Sequence, residues 1–98
     1  MFFRQLVNFV TVKQDDGREV VIKYMLTHRD PGTYGILAEK HFMLDGEMCF
    51  VEECETQRSY SLYDALRIAE VCASGKVLPT THLEIEEELH QRKVVNVG

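Results

Sequence analysis

Three short turn signals divide the first half of the chain into four segments. They are Asp15-Asp16-Gly17, Asp30-Pro31-Gly32 and Asp45-Gly46. An Asp-Gly pair is typical of a two-residue hairpin, and proline followed by glycine is typical of a tight turn. Strands joined by such short connections pair antiparallel, because a parallel crossover needs about a dozen residues or more. The turns therefore predict a sequential antiparallel meander.

The segments between these turns have the patterns of β-strands. The predicted strands are residues 5–14, 19–27, 34–44 and 47–55. Alternation is clearest in the second strand, where one face would carry Val20, Ile22, Tyr24 and Leu26. Lys40 interrupts the apolar face of the third strand, so we expect a bulge or an early end near His41.

The chain then changes from strand to helix patterning. Ser61, with Asp64 three residues on, is a typical N-terminal cap, and Gly75 is expected to end the helix in the left-handed conformation. The apolar stripe predicted between them consists of Leu62, Ala65, Leu66, Ala69, Cys72 and Ala73.

A second helix is predicted after Pro79. Thr80 or Thr81 would cap it, and it would begin near His82. Its narrow apolar edge would be Leu83, Ile85 and Leu89, with glutamates on the remaining surface. Residues 94–98 are apolar enough to add a short strand or to contact a neighbouring subunit.

These elements predict one α+β domain spanning residues 1–98. It would be a four-stranded antiparallel meander followed by two C-terminal helices packed on one face. The pattern does not indicate which face the helices cover.

Charge and composition exclude several classes of function. The formal net charge is −5, with nine acidic and five basic residues from Phe50 onward, and no cluster of Lys and Arg suits a phosphate backbone. We therefore expect no nucleic-acid partner. The apolar runs are too short for a membrane span and the N-terminal residues do not form a signal peptide, so we expect a cytoplasmic protein with no membrane contact. Three cysteines without CxxC spacing indicate free thiols, with a single disulfide as the alternative.

Metal and catalytic sites have weak support in the sequence. His28, His41, Cys49 and Cys54 lie in the sheet half, and the 45–46 hairpin would bring His41 near Cys49, but the spacing is not that of a zinc site. Cys72 lies on the apolar stripe, where a buried structural thiol is the commoner case. We expect no metal, no cofactor and no catalytic residue, and a protein that is more plausibly not an enzyme.

The sheet face without helices remains to be explained. It would carry the apolar side chains Val7, Phe9, Val21, Met25, Leu37, Met43 and Val51. The favoured hypothesis is a non-catalytic protein-interaction or regulatory module, a homo-oligomer that uses this face or a sheet edge, with Phe9, Val21 and Met25 at the interface. The alternative is a small-molecule binding domain or minor enzyme. Its pocket, between sheet and helices, would be lined by Tyr24, Tyr34, Cys72 and His82.

The order of motifs in residues 34–89 carries one resemblance. The order begins with Tyr34-Gly35-Ile36, which is followed by the first helix. After the helix come the segment Val77-Leu78-Pro79-Thr80-Thr81-His82-Leu83 and then Glu86, Glu87 and Leu89. In this respect the chain resembles a family of small uncharacterised proteins, a domain of unknown function from clostridia and related Gram-positive bacteria. The resemblance implies an intracellular bacterial protein with an α+β fold, and it assigns no site residue.

Overall fold

The computed structural model describes residues 4–76 and 78–96 and confirms the predicted α+β architecture. The strands are β1 (Arg4–Lys13), β2 (Glu19–His28), β3 (Tyr34–Leu44) and β4 (Glu47–Glu55), and the helices are α1 (Leu62–Ser74) and α2 (Pro79–Asn96). The strands pair antiparallel in the order β1-β2-β3-β4. Each pair of neighbouring strands is joined by one of the three predicted turns. In the last of them Asp45 and Gly46 both have positive φ, 52° and 81°, as a type I′ hairpin turn requires.

The helices cover the face of β2 that carries Val20, Ile22, Tyr24 and Leu26. α1 contacts β1, β2 and β3, and α2 contacts β3, β4 and α1. The buried core is built from these β2 side chains, Ile36 and Ala38 of β3, and the inner side of α1. Both faces of β2 carry apolar residues, so the sequence pattern is compatible with helices on either face. Only tertiary packing determines which face the helices cover.

Two bulges shift the faces of the edge strands. In β1 the register shifts between Leu6 and Asn8, and Val7 at this point packs against the core. The expectation that Val7 lies on the uncovered face is therefore wrong. The second shift lies where Lys40 pairs with Glu52 and His41 pairs with Phe50. An irregularity is thus present near His41 as expected, but the extra residue is Val51 of β4 and not a residue of β3. A bulge inserts one residue and so reverses which side chains face the core beyond it.

α1 begins as predicted, but the apolar stripe that it packs against the sheet differs from the predicted one. The Ser61 hydroxyl accepts the backbone N–H of Asp64 at 3.2 Å. The buried residues are Ala65, Ile68, Ala69, Cys72 and Ala73, whereas Leu62 and Leu66 are 45% and 40% exposed. Both stripes satisfy helical spacing, and small alanines let the helix lie close to the sheet. The left-handed residue at the end of α1 is Lys76, with φ 52°, and Gly75 has φ −88°, so the predicted role of Gly75 is wrong.

α2 is longer than predicted. It begins at Pro79, the first-turn position that proline tolerates because the N–H it lacks has no helical partner. Thr80 and Thr81 thus lie inside the helix, and the Thr81 hydroxyl donates to the Leu78 carbonyl at 3.1 Å. Residues 94–96 belong to this helix, so the short strand expected there is wrong, and residues 97–98 lie outside the described residues. Within the described part of the chain, neither helix has the length and apolar character needed to cross a membrane.

Candidate functional site

The sheet face opposite the helices gathers the three predicted interface residues. Phe9, Val21 and Met25 all point to this side, because each pairs across strands with other residues of the same face. We call this surface the open face. It is built from Arg4, Leu6, Phe9, Thr11, Lys13, Glu19, Val21, Lys23, Met25, Thr27, Gly35, Leu37, Glu39, His41, Met43, Met48, Phe50, Glu53 and Glu55.

The open face exposes large apolar side chains. Phe9 is 58% exposed, Phe50 56%, Leu6 49% and Met48 40%. Val21 and Met25 are half-buried between them, and Leu37, although it lies on this face, is buried. Several large apolar side chains exposed on one face of a small domain are typical of an interaction site.

Charged side chains cross the middle of the open face in one row. Phe9 pairs with Lys23, Lys23 with Glu39, and Glu39 with Glu53. Glu39 also lies 3.0 Å from His41 Nε2 and 3.7 Å from Arg4 Nη1. The His41 ring in turn contacts Phe50 edge-on, with ring centroids 5.7 Å apart. Polar and apolar groups are thus interleaved across the open face.

Both outer strands are unsuited to pairing with another strand. The bulge at Val7 interrupts β1. β4 carries Glu47, Glu52, Glu53 and Glu55 without a basic residue, and like charges repel when two such edges meet. Of the two surfaces predicted for association, the structure therefore favours the open face over an edge.

Three of the four predicted pocket residues contact one another in the interior. The Tyr24 hydroxyl donates to the Cys72 carbonyl at 3.2 Å, and Cys72 Sγ lies 3.6 Å from His82 Nδ1. His82 Nε2 lies 3.2 Å from the Ile36 carbonyl. Tyr24, Cys72 and His82 are each 0% exposed. Tyr34 lies apart from them at the margin of the core, where its ring is 4.9 Å from that of His28.

The Cys72 and His82 pair is neutral. The Ile36 carbonyl can only accept, so Nε2 carries the proton and Nδ1 accepts the Cys72 S–H. Burial raises the pKa of the Cys72 thiol to about 12, and burial also lowers the pKa of His82. A cysteine nucleophile needs a thiolate, which this environment disfavours. The chain of hydrogen bonds instead connects β2, α1, α2 and β3, which is a structural role. A small-molecule pocket near these residues stays a prediction.

The pKa of His82 gives stability a defined pH dependence. Burial lowers the folded-state pKa below the ordinary 6.5, against the opposing effects of the Ile36 carbonyl and Glu86. As the pH falls below 6.5, the unfolded chain binds a proton that the folded chain does not bind. The stabilisation by neutral His82 is therefore complete above that pH and is lost as the pH falls toward the folded pKa, by up to about 1.4 kcal/mol per pH unit.

Urea unfolding across about pH 5 to 8 would measure this effect. We expect the stability difference between wild type and His82→Gln to shrink on acidification. A difference that does not vary with pH would contradict the neutral assignment.

Glu86 forms a second interior site, which sequence reasoning missed. Its carboxylate accepts the backbone N–H groups of Gln57 and Arg58, each at 3.0 Å, and the Tyr60 hydroxyl at 2.6 Å. Glu86 is only 2% exposed. Burial, followed by the hydrogen bond to Glu86, raises the pKa of Tyr60, so its hydroxyl remains a donor. α2 thereby holds the connection between β4 and α1. The one sequence signal that could have indicated the burial of Glu86 is its spacing: it follows His82 by four residues and so lies on the same side of the helix.

The suggested approach of His41 and Cys49 is wrong. His41 pairs with Phe50 and Cys49 pairs with Phe42, so the regular register of the 45–46 hairpin places His41 and Cys49 on opposite faces. The structure shows free thiols at Cys49, Cys54 and Cys72. Among residues 4–76 and 78–96, no three His, Cys, Asp or Glu side chains are grouped as metal binding would require.

Comparison with known proteins identified no relative of this chain. Family models, curated proteins and solved structures were all compared with the chain, and none matches it. The resemblance to the clostridial family therefore stays a prediction, and function has to be inferred from the geometry of the open face.

Proposed function

We propose that this protein is a non-catalytic interaction module that forms a homodimer through its open face. The observation that carries the proposal is the exposure of Leu6, Phe9, Met48 and Phe50 on one uncovered side of the sheet. Burying such side chains against a second copy would remove apolar surface from water, which is the main driving force of association. The free thiols also support a location in a reducing compartment, and we propose the cytoplasm.

The size of the face suits a modest dimer. Four strands spaced about 4.8 Å apart, each about ten residues long at about 3.3 Å per residue, give a face of roughly 600 Å². Two such faces bury roughly 1,200 Å², which is at the lower end of specific interfaces. We therefore expect an association that depends on protein concentration.

Charged substitutions on the open face test the proposal. We expect wild type to sediment as a dimer at high concentration, and Phe9→Glu and Met25→Glu to sediment as monomers, because each places a carboxylate in an apolar contact. Tyr63→Glu is the matched control, since Tyr63 is 73% exposed on α1, on the helix side of the molecule. This variant should associate as wild type does.

Circular dichroism spectra would establish that each variant is folded. If Phe9→Glu and Met25→Glu were folded and still associated as wild type does, the open face would not be the interface.

A further inference from the structure

The open face is divided into a basic half and an acidic half. On β1 and β2 it carries Arg4, Lys13 and Lys23, with Glu19 as the single carboxylate among the residues described in those two strands. On β3 and β4, which are described over their whole length, it carries Glu39, Glu53 and Glu55 and neither Lys nor Arg, because Lys40 points to the helix side. Arg29, from the turn between β2 and β3, pairs with Glu55 at 2.8 Å, so the acidic character of this half rests on Glu39 and Glu53. The boundary between the halves runs between Lys23 and Glu39, along the middle of the sheet.

A symmetric dimer can stack two such faces with nearly aligned strands in two ways. If the two-fold axis runs across the strands, each strand lies over its own copy. The basic half then faces the basic half, and Lys23 approaches the other Lys23. If the axis runs parallel to the strands, β1 lies over β4 of the second copy and β2 lies over β3. The basic half then faces the acidic half at both ends.

We infer that the dimer has a two-fold axis parallel to the strands, between β2 and β3, with Lys23 of each copy facing Glu39 of the other. This inference rests on the proposed function. Lys23 and Glu39 pair directly within the sheet, so an axis between them brings both reciprocal contacts together at the centre. Sheets pack about 10 Å apart, a gap that a lysine and a glutamate side chain can span together.

The same axis also places the exposed aromatic side chains on facing strands. Phe9 of β1 and Phe50 of β4 lie in neighbouring rows of the face, at its two outer margins. With the axis parallel to the strands, β1 of one copy covers β4 of the other. Phe9 then lies over Glu53, which belongs to the same row, and its ring reaches Phe50 in the next row at both ends of the interface. These rings would supply affinity, while the charge pair at the centre selects the orientation.

Charge reversal tests the orientation. We expect Lys23→Glu alone, and Glu39→Lys alone, to raise the dimer dissociation constant at least about a hundredfold, because each creates two like-charge contacts per dimer. An equimolar mixture of the two variants should restore association as a mixed dimer. In it the introduced glutamate of one copy faces the introduced lysine of the other, and the remaining native Lys23 and Glu39 face each other. Sedimentation and pull-down with one tagged variant would measure it. Lys76→Glu and Glu84→Lys, two exposed reversals on the helix side, should have no effect.

The possible failures can be told apart. If Lys23→Glu paired preferentially with wild type, the axis would run across the strands, and the inference would be overturned while the open-face dimer stood. If the mixture stayed monomeric while Phe9→Glu also abolished the wild-type dimer, the pairing of Lys23 with Glu39 would be wrong but the face right. If wild type were monomeric at every concentration, the proposed function itself would fail.

Discussion

Replacing Glu86 by alanine is expected to lower the free energy of unfolding by about 3 kcal/mol, because three donors lose their acceptor at once. Two are successive backbone N–H groups, of Gln57 and Arg58, and the third is the Tyr60 hydroxyl. An unsatisfied buried donor costs about 1 to 3 kcal/mol, and water can reach part of this site since Gln57 is exposed. The loss is therefore smaller than the sum of three fully buried donors.

Urea unfolding of Glu86→Ala beside Glu84→Ala would measure this effect. Glu84 lies on the exposed side of the same helix, and its replacement should change stability by no more than about 0.5 kcal/mol. A double-mutant cycle with Tyr60→Phe should give a coupling of about 1 kcal/mol or more if the two side chains act as one unit. Equal effects of the two alanine variants would refute the structural role of Glu86.

Replacing Gly35 by alanine is expected to cost about 2 to 3 kcal/mol through steric overlap. A Cβ at this position would lie 2.8 Å from Arg29 Nε and Thr56 Oγ1 and 3.0 Å from Thr27 Oγ1. These atoms cannot withdraw freely. Thr56 Oγ1 accepts the Ile36 N–H at 3.1 Å, and Arg29 donates to Glu55 at 2.8 Å and 3.0 Å. Arg29 also donates to the carbonyls of Thr56 and Gln57.

Gly17→Ala is the control that separates crowding from backbone strain. Gly17 has φ 86°, and no atom lies within 4 Å of the position that a Cβ would take. Alanine at this position should lower the free energy of unfolding by about 1 to 2 kcal/mol, because its Cβ is unfavourable in the left-handed conformation. In a Thr56→Ala background the added cost of Gly35→Ala should fall by about 1 kcal/mol, because one of the clashing atoms is gone. If the cost were unchanged in that background, Thr56 would not be the obstacle.

These two interior sites explain how the open face is supported. Glu86 and Gly35 both act at the junction where β4 leaves the sheet for α1, and the chain from Tyr24 to His82 connects the sheet to both helices. The helix side is therefore held by polar contacts specific to this sequence. The open face has polar contacts of its own, from Thr27 and Arg29 to Glu55 and from Arg4 and His41 to Glu39, and its apolar side chains remain exposed between them.

Local patterns predicted most of the elements. Turn chemistry at Asp30-Pro31-Gly32 and Asp45-Gly46 determines where the chain reverses, and the Ser61 cap determines where α1 begins, because these preferences depend on a few neighbouring residues. The regular alternation of β2 likewise predicted its two faces, and the placement of Val21 and Met25 on the same side followed from it. A lone glycine such as Gly35 in a strand is typical of a bulge or a close backbone approach, and the structure shows the close approach.

The remaining features depend on residues far apart in the chain. The stripe of α1 that is buried, the bulge that turns Val7 to the core, and the burial of His82 and Glu86 follow from partners such as Ile36 and Tyr60, which are more than twenty residues away. A helical or alternating pattern is compatible with more than one burial face, since periodicity records spacing and not the identity of the surface opposite. Local sequence alone thus sets the order of the elements and the places where the chain reverses. Long-range packing selects which faces are covered, because burying a polar group is favourable only where its distant hydrogen-bond partner is already in place.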